Sequence, residues 1–411
     1  MSDIAMGAAA EAPTKAKAAP LAAGERLAAI DMLRGLVIAI MALDHVRDYV
    51  HAQAYQFDPL DLTRTYPALY ATRWVTHFCA PTFVFLSGVS AYLQSTKGKT
   101  GAKLSGFLFT RGLWLIFLEL TLVGWAWSFW PLGVPFLQVI WAIGWSMIAL
   151  SALVWLPRLA VLAIGVGVIA LHNLSDPLTP QQFGPLSWLW IFLDEGGFQT
   201  LNGAPIAFDF YPVLPWAGVM AFGYGVGEIF TRERAARDRT LIVLGAAMIA
   251  LFFLLRSGNF YGDPKPWSHQ TDLSHDVMSF LDVQKYPPSL LYVCATLGPV
   301  FVLFPLLARL QGPLAKVLLA YGSVPLFTYV LHIYIVHAVA LIAGVATGYD
   351  AGIFVDYFRH LFSQPGDFAG FGFSLPIVYL VWLGVLALLY PLSAWWASVK
   401  RNRRDWWLSY L

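Results

Sequence analysis

The sequence predicts an all-α, polytopic integral membrane protein with about ten transmembrane helices and both termini in the cytosol. Three observations predict it. Charged residues make up 12% of the 411 residues and apolar ones 58%, whereas soluble domains carry about 25% charged. Mean hydropathy is +0.63, and apolar runs recur along the whole chain. Lysine and arginine gather in alternate connections between those runs.

Residues 1–25 are Ala-rich, with mixed charge and no continuous apolar core. They are expected to form a disordered cytosolic tail rather than a cleaved signal peptide. The apolar runs follow at 27–48, 68–94, 104–128, 134–156, 158–173, 210–230, 240–257, 287–308, 317–342 and 375–399. Inside hydrocarbon each must be a helix, because only a helix satisfies its backbone locally. One set of connections holds Lys97, Lys99, Lys103, Arg158, Arg232, Arg234, Arg237, Arg239, Arg309 and Lys316. The other set, near 52–66, 174–209, 258–286 and 343–374, is long, and 174–209 contains no Lys or Arg. An even number of spans leaves both termini on the basic, cytosolic side. Residues 26–400 read as one transmembrane domain and 401–411 as a basic, aromatic cytosolic tail. The bilayer is the expected partner; a formal charge of only +2 gives no reason to expect nucleic acid. Cys79 and Cys294 sit in apolar runs as small hydrophobes, so neither a disulfide framework nor a metal is expected.

The stretch "LVIAIMALDHVRDYVH" (36–51) places five ionisable groups at the far end of the first span. Ionisable residues inside a span are costly and usually face a bundle interior or a wet cavity. Asp44, Arg47, Asp48 and His51 fall at i, i+3, i+4 and i+7, so they share a face, and Asp44–Arg47 is the expected ion pair. His45 lies roughly 27 Å along the helix, with Asp48 at i+3 placed to orient its ring. In the second run Arg73 and His77 are spaced i, i+4, with His77 roughly 13 Å in from the outer end. In the ninth, Tyr329 and His332 are spaced i, i+3, with His332 roughly 22 Å along. The three imidazoles are therefore expected in the outer half of the bilayer, around one cavity. His337 reads as structural, and His172, His269, His275 and His360 as solvated surface. At the cytosolic ends, Arg34 (with Asp31 at i−3) and Arg111 are placed to meet phosphate.

Five stretches resemble a known family: "RLAAIDMLRGLVIAIMALDHVRD", "RWVTHFCAPTFVFLSGVSAYL", "YPVLPWAGVMAFGYGVGEIF", "KYPPSLLYVCATLGPVFVLF" and "YGSVPLFTYVLHIYIVH". They look like the bacterial branch of the family that shares the catalytic domain of heparan-α-glucosaminide N-acetyltransferase, within the transmembrane acyltransferases, over residues 26–400. The resemblance implies transfer of an acyl group, acetyl above all, from cytosolic acyl-CoA to an amine or hydroxyl acceptor, a glycan or other small molecule, on the extracytoplasmic side. It also implies a bacterial inner membrane, a homodimer, His45 in the place of the superfamily's essential histidine, and His332 in the place of a family histidine. Where the lysosomal enzyme has an asparagine and an aspartate, this chain has His45 and His77. The proposed acyl-accepting histidine of that enzyme has its nearest match in His51, in a segment that differs here. Arg111 is similar to third-helix arginines that face CoA phosphates in distant relatives.

Chemistry and resemblance together predict His45, Asp48, His77 and His332 as the catalytic group. Asp44, Arg47, His51, Arg73 and Tyr329 are the expected support, with Arg34 and Arg111 at the CoA. Histidine suits a general base near neutral pH, and a carboxylate beside it holds the tautomer. A secondary transporter for a small polar solute or lipid-linked substrate is the alternative reading, and a non-catalytic scaffold the third. Transporter sites usually lie at the midplane of repeated, interrupted helices, and no repeat is evident here.

Overall fold

The computed structural model describes residues 23–129, 133–403 and 405–409. The expected tail over 1–25 lies outside the described residues up to 22, and a helix is already under way at Ala23. Among the described residues eight helices are long and apolar enough to cross a membrane. In chain order with two others they are α1 (Ala23–Val50), α2 (Pro67–Ser95), α3 (Ala102–Trp127), α4 (Val139–Leu153), α5 (Arg158–Ser175), α6 (Val213–Thr231), α7 (Arg234–Ser257) and α8 (Leu290–Leu307). After α9 (Gly312–Gly322) come α10 (Pro325–Ala346) and α11 (Leu375–Asn402). Every apolar run of the sequence therefore contains a helix. The two outside the eight have physical reasons: α1 carries Asp31, Arg34 and the 44–48 cluster, and α4 has only 15 residues.

One expected span divides. The run at 317–342 is two helices, broken at Ser323–Val324. Pro325 pushes Val324 off the helical region, to φ −132° and ψ 55°, and starts α10 as its first residue. His332 is thus roughly 10 Å from the start of its helix, rather than the expected 22 Å. The freed α9 crosses α1 closely. A methyl group at Gly35 would sit 1.9 Å from the Leu318 carbonyl oxygen, and one at Gly322 would sit 1.7 Å from that of Asp31. Small residues let membrane helices approach backbone to backbone, and this contact sets the rotation of α1.

Two devices position the interior. α3 contains a π-helical turn at Glu119–Val123, and the buried Glu119 accepts a hydrogen bond (3.0 Å) from the Gln138 N–H, which precedes α4. A carboxylate therefore caps the positive end of a helix that begins inside the bundle. At the end of α7 the buried Arg256 donates to the carbonyls of Phe280 (2.9 Å), Ser279 (2.9 Å) and Asp282 (2.6 Å). That staple holds the 258–289 connection down onto the bundle.

The long connections gather at one end. There a three-stranded sheet, β1 (Phe136–Leu137), β2 (Gly197–Leu201) and β3 (Ala204–Asp209), takes the order β1-β3-β2, with β1 parallel and β2 antiparallel to β3. Phe136 stacks on Phe208 (5.0 Å), Phe358 (4.3 Å) and Phe362 (5.0 Å), making an aromatic roof. The short connections, which carry most of the basic residues, form the other end.

Candidate active site

At the loop end the last turns of α1, the start of α2, the aromatic roof and Lys285–Tyr286 enclose a cavity of about 280 Å³. Asp44, His45, Arg47 and Asp48 line it from α1, and Arg73 and Thr76 from α2. The helical spacing gives the expected pair: Arg47 Nη2 lies 2.8 Å from Asp44 Oδ1, and also 2.5 Å from Asp48 Oδ1. Arg73 Nη1 donates to Asp44 Oδ2 at 3.0 Å. Charges thus alternate as Arg73, Asp44, Arg47, Asp48, which is how buried ions are kept. His45 stands edge-on against Trp127 (4.6 Å between centroids), with the His332 ring 5.1 Å away on another side. Its Nδ1 faces Asp48 Oδ2 at 3.8 Å, too long for a hydrogen bond but close enough to close into one.

A second cavity, about 320 Å³, opens toward the basic end. Arg34, Lys97, Arg111 and Lys400 line it, with Ser87, Ser90, Gln94 and Ser323. Arg34 is held in place by Asp31 (2.8 Å) and Ser90 Oγ (2.5 Å). The two cavities share three lining residues, Phe83, Val139 and Tyr329. These three residues, the waist, are the wall common to a basic mouth and a histidine-bearing chamber. The buried Tyr329 hydroxyl lies near Trp127 with no partner in hydrogen-bond geometry among the described residues.

A family model described as heparan-alpha-glucosaminide N-acetyltransferase, catalytic, matches residues 26–258, more than half of the chain. The chain belongs to that family. It is an integral membrane protein of the acetyltransferase type. No curated protein matches it. The matched region of this N-acetyltransferase family member spans α1 to α7, and so includes His45, both arginines of the charge chain and most of the waist.

The expected trio of imidazoles does not share one hollow. His45 faces the loop-end cavity, and His332 lies fully buried behind it. His77 is turned away. A 3₁₀ turn at Thr76–Phe78 interrupts α2, rotating each residue by about 120° instead of 100°. Arg73 therefore reaches Asp44 while the His77 ring packs 5.4 Å from Tyr292, whose hydroxyl donates to the His77 carbonyl (2.8 Å). His51 also leaves the cavity. It ends α1, pairs its backbone with Phe373, and is buried beside Arg47, which together hold its imidazole down at about 4. His337 sits between the carbonyl oxygens of Ala126 (2.8 Å) and Phe354 (2.6 Å), the structural role expected of it. His172 is buried rather than solvated, because the last turn of α5 tucks under the 259–290 connection; His269 is 83% exposed.

Sequence reasoning passed over Lys285, Trp127 and Tyr357 in the chamber, and Lys97 and Lys400 at the mouth. Depth arguments weigh spans, and all five lie outside or at the ends of spans. One signal was available: Lys265 and Lys285 are the only lysines in the four long connections.

Phe210 and Tyr211 reach the chamber wall just after Asp209, the last residue of β3. Asp209 is 1% exposed; its Oδ1 accepts from the Tyr211 N–H (3.2 Å), and its Oδ2 has no partner among the described residues. Burial pushes its carboxyl from the ordinary 3.8 up to about 8. Between these values the unfolded chain gives up the proton first, so stability falls as pH rises from about 4 to about 8. Asp209→Asn is expected to flatten that fall. In detergent at pH 8 its Tm should exceed the parent's by a few degrees, with little difference at pH 4. Equal pH profiles of Tm for the two proteins would refute the assignment.

Proposed function

We propose that the protein moves an acetyl group from cytosolic acetyl-CoA to an amine or hydroxyl acceptor, a glycan or similar small molecule, on the extracytoplasmic side of a bacterial inner membrane. The observation that carries this reading is the waist: a basic mouth and a histidine-bearing chamber share the wall Phe83, Val139 and Tyr329. Phosphates need cations, and Arg34, Lys97, Arg111 and Lys400 line the mouth where they would bind. The narrow waist suits a thin pantetheine arm, which brings the thioester to His45 from within.

In the transfer, His45 takes the proton of the acceptor amine or hydroxyl as the acceptor's lone pair bonds the thioester carbonyl carbon. The Tyr329 hydroxyl donates to the carbonyl oxygen as it gains charge. The carbon–sulfur bond then breaks, and His45 returns the proton to the departing sulfur. Asp48 closes on Nδ1 and steadies the imidazolium. His332 holds the ring from behind, and Arg47, Asp44 and Arg73 keep the wall rigid. His51 and His77 lie off the chamber lining, which favours direct transfer over an acyl-histidine.

Val139→Trp fills the waist and tests this reading. Purified protein in detergent should release CoA from labelled acetyl-CoA in the presence of acceptor amines, whereas a transporter would need a sealed vesicle. The Trp variant is expected to lose about 10²-fold or more of that turnover while a CoA-induced rise in Tm persists. Turnover by Val139→Trp at the parent rate, or no turnover by the parent, would refute the proposal.

A further inference from the structure

The ring of His337 meets two acceptors at once. Its Nδ1 lies 2.8 Å from the Ala126 carbonyl oxygen and its Nε2 lies 2.6 Å from that of Phe354. A neutral imidazole has one N–H and one lone pair, whereas an imidazolium has two N–H groups. In the neutral ring a lone pair would point at a carbonyl oxygen within hydrogen-bond distance, and the two would repel. Two N–H groups satisfy both oxygens. Both carbonyls also come from helix ends: Ala126 is the last residue but one of α3, and Phe354 the last but one of the short helix Ala351–Val355. Such carbonyls have no partner within their own helix and carry its negative end, so a cation is favoured beside them. The next carbonyl of α3, that of Trp127, is taken by the Tyr49 hydroxyl (2.5 Å).

Formal charges nearby are committed elsewhere. From α1, Tyr49 packs on the ring at 5.0 Å, and the adjoining Asp48 is held by Arg47 (2.5 Å). Beyond α3, Phe129 stacks on it at 3.8 Å. From the 351–363 connection Tyr357 stands 6.0 Å away, while Asp356 pairs with Arg359 (2.5 Å) and His360 with Asp367. On its own helix Tyr334 donates to the Leu122 carbonyl (2.8 Å). Among the described residues no carboxylate lies within ion-pair distance of His337.

The two segments that His337 joins both belong to the chamber. Trp127, next to Ala126, stands edge-on against His45 and stacks on Phe358 (6.0 Å). Tyr357, Phe358, Leu361 and Phe362 line the chamber from the connection that follows Phe354. One ring therefore holds the wall beside His45 to the roof above it.

We infer that His337 is a positioning residue held as an imidazolium, whose two N–H groups clasp the end of α3 to the 351–363 connection and so fix Trp127 against His45. Loss of one ring proton frees one carbonyl and loosens the clasp. The clasp lies beside the chamber and not the mouth, so it governs kcat and the KM for the acceptor and leaves the KM for acetyl-CoA unchanged. The kinetic consequence rests on the acetyl-transfer reading above; the protonation of the ring does not.

Two measurements on full-length protein in detergent test it. The first is 15N NMR with labelled histidine, from about pH 5 to about pH 9. The ring is 0% exposed, so its N–H protons exchange slowly with water. One imidazole is expected to show two protonated nitrogens at the acid end and to lose one proton as pH rises, and its signals should be missing from His337→Gln. The parent's titration by itself needs no variant to fold. The second is the pH profile of acetyl transfer to glucosamine and ethanolamine. His45 and the acceptor amine must be neutral, which gives an acid limb; His337 must be charged, which gives an alkaline limb. That alkaline limb should lower kcat/KM for the acceptor by about tenfold, the worth of one hydrogen bond to a charged group. His337→Gln, whose donor does not titrate, should keep the acid limb and lack the alkaline one. A folded parent in which every buried imidazole keeps a lone pair down to about pH 5 overturns the inference. So does a parent with no alkaline limb, or an alkaline limb that persists in His337→Gln, the mark of a merely structural residue. A doubly protonated ring in a protein that transfers no acetyl group would support the clasp and refute the acetyl-transfer reading, and transfer with a neutral ring would do the reverse.

Discussion

His45→Ala is expected to lower kcat for acetyl transfer by about 10²–10⁴-fold, the range spanned by a general base, with the KM for acetyl-CoA little changed. Among the described residues the ring is the one imidazole on the chamber lining, which it shares with the waist residue Tyr329, and it is within reach of Asp48. The two acids beside it are committed: Asp44 is held by two guanidiniums and Asp48 by one. His45→Gln, which keeps bulk and a hydrogen-bonding end, should be as poor as the alanine variant, because a proton acceptor is missing from both. His332→Asn should lower kcat less, since that ring acts only through His45. The comparison needs single-turnover rates on purified variants whose Tm matches the parent. Near-parental kcat in His45→Ala would remove the base from the proposed mechanism.

Asp44→Ala is expected to be the most destabilising substitution in the chamber, by about 3–5 kcal/mol, the usual cost of stranding buried charge. Asp44 is 8% exposed and sits between Arg47 (2.8 Å) and Arg73 (3.0 Å), which come from different helices. Without the carboxylate two cations face each other with little water to screen them. Asp44→Asn restores the shape but not the charge and should fall between parent and alanine. Replacing both arginines with methionine in the Asp44→Ala background should recover much of the loss, because the stranded charges go with them. Thermal unfolding in one detergent, read by tryptophan fluorescence, would measure it. An Asp44→Ala Tm equal to the parent's would show that the chain of charges contributes nothing to the fold.

The site was only partly legible along the chain. Helical periodicity alone supplies the Asp44–Arg47 pair and the nearness of Asp48 to His45, because residues three and four apart share a face in any helix. It failed at Arg73 and His77, where the 3₁₀ turn at 76–78 breaks the period it assumes. His332 was placed by counting from a helix start that the structure moves to Pro325. Glu119 lies inside an apolar run, and its role as the cap of α4 appears only when two segments 19 residues apart fold together.

By itself the sequence determined that this is a bundle of membrane helices, which segments they are, which end is basic, and the family to which the chain belongs. Hydrocarbon forces every apolar run to satisfy its own backbone, so that much is a local property. Which side chains meet was decided only by tertiary structure. The rotation of each helix about its axis depends on close crossings such as Gly35 on Leu318, and on breaks such as Ser323–Val324. Those contacts chose one imidazole of the expected three for the chamber, set two cavities on either side of Phe83, Val139 and Tyr329, and brought Lys285 in from a distant connection.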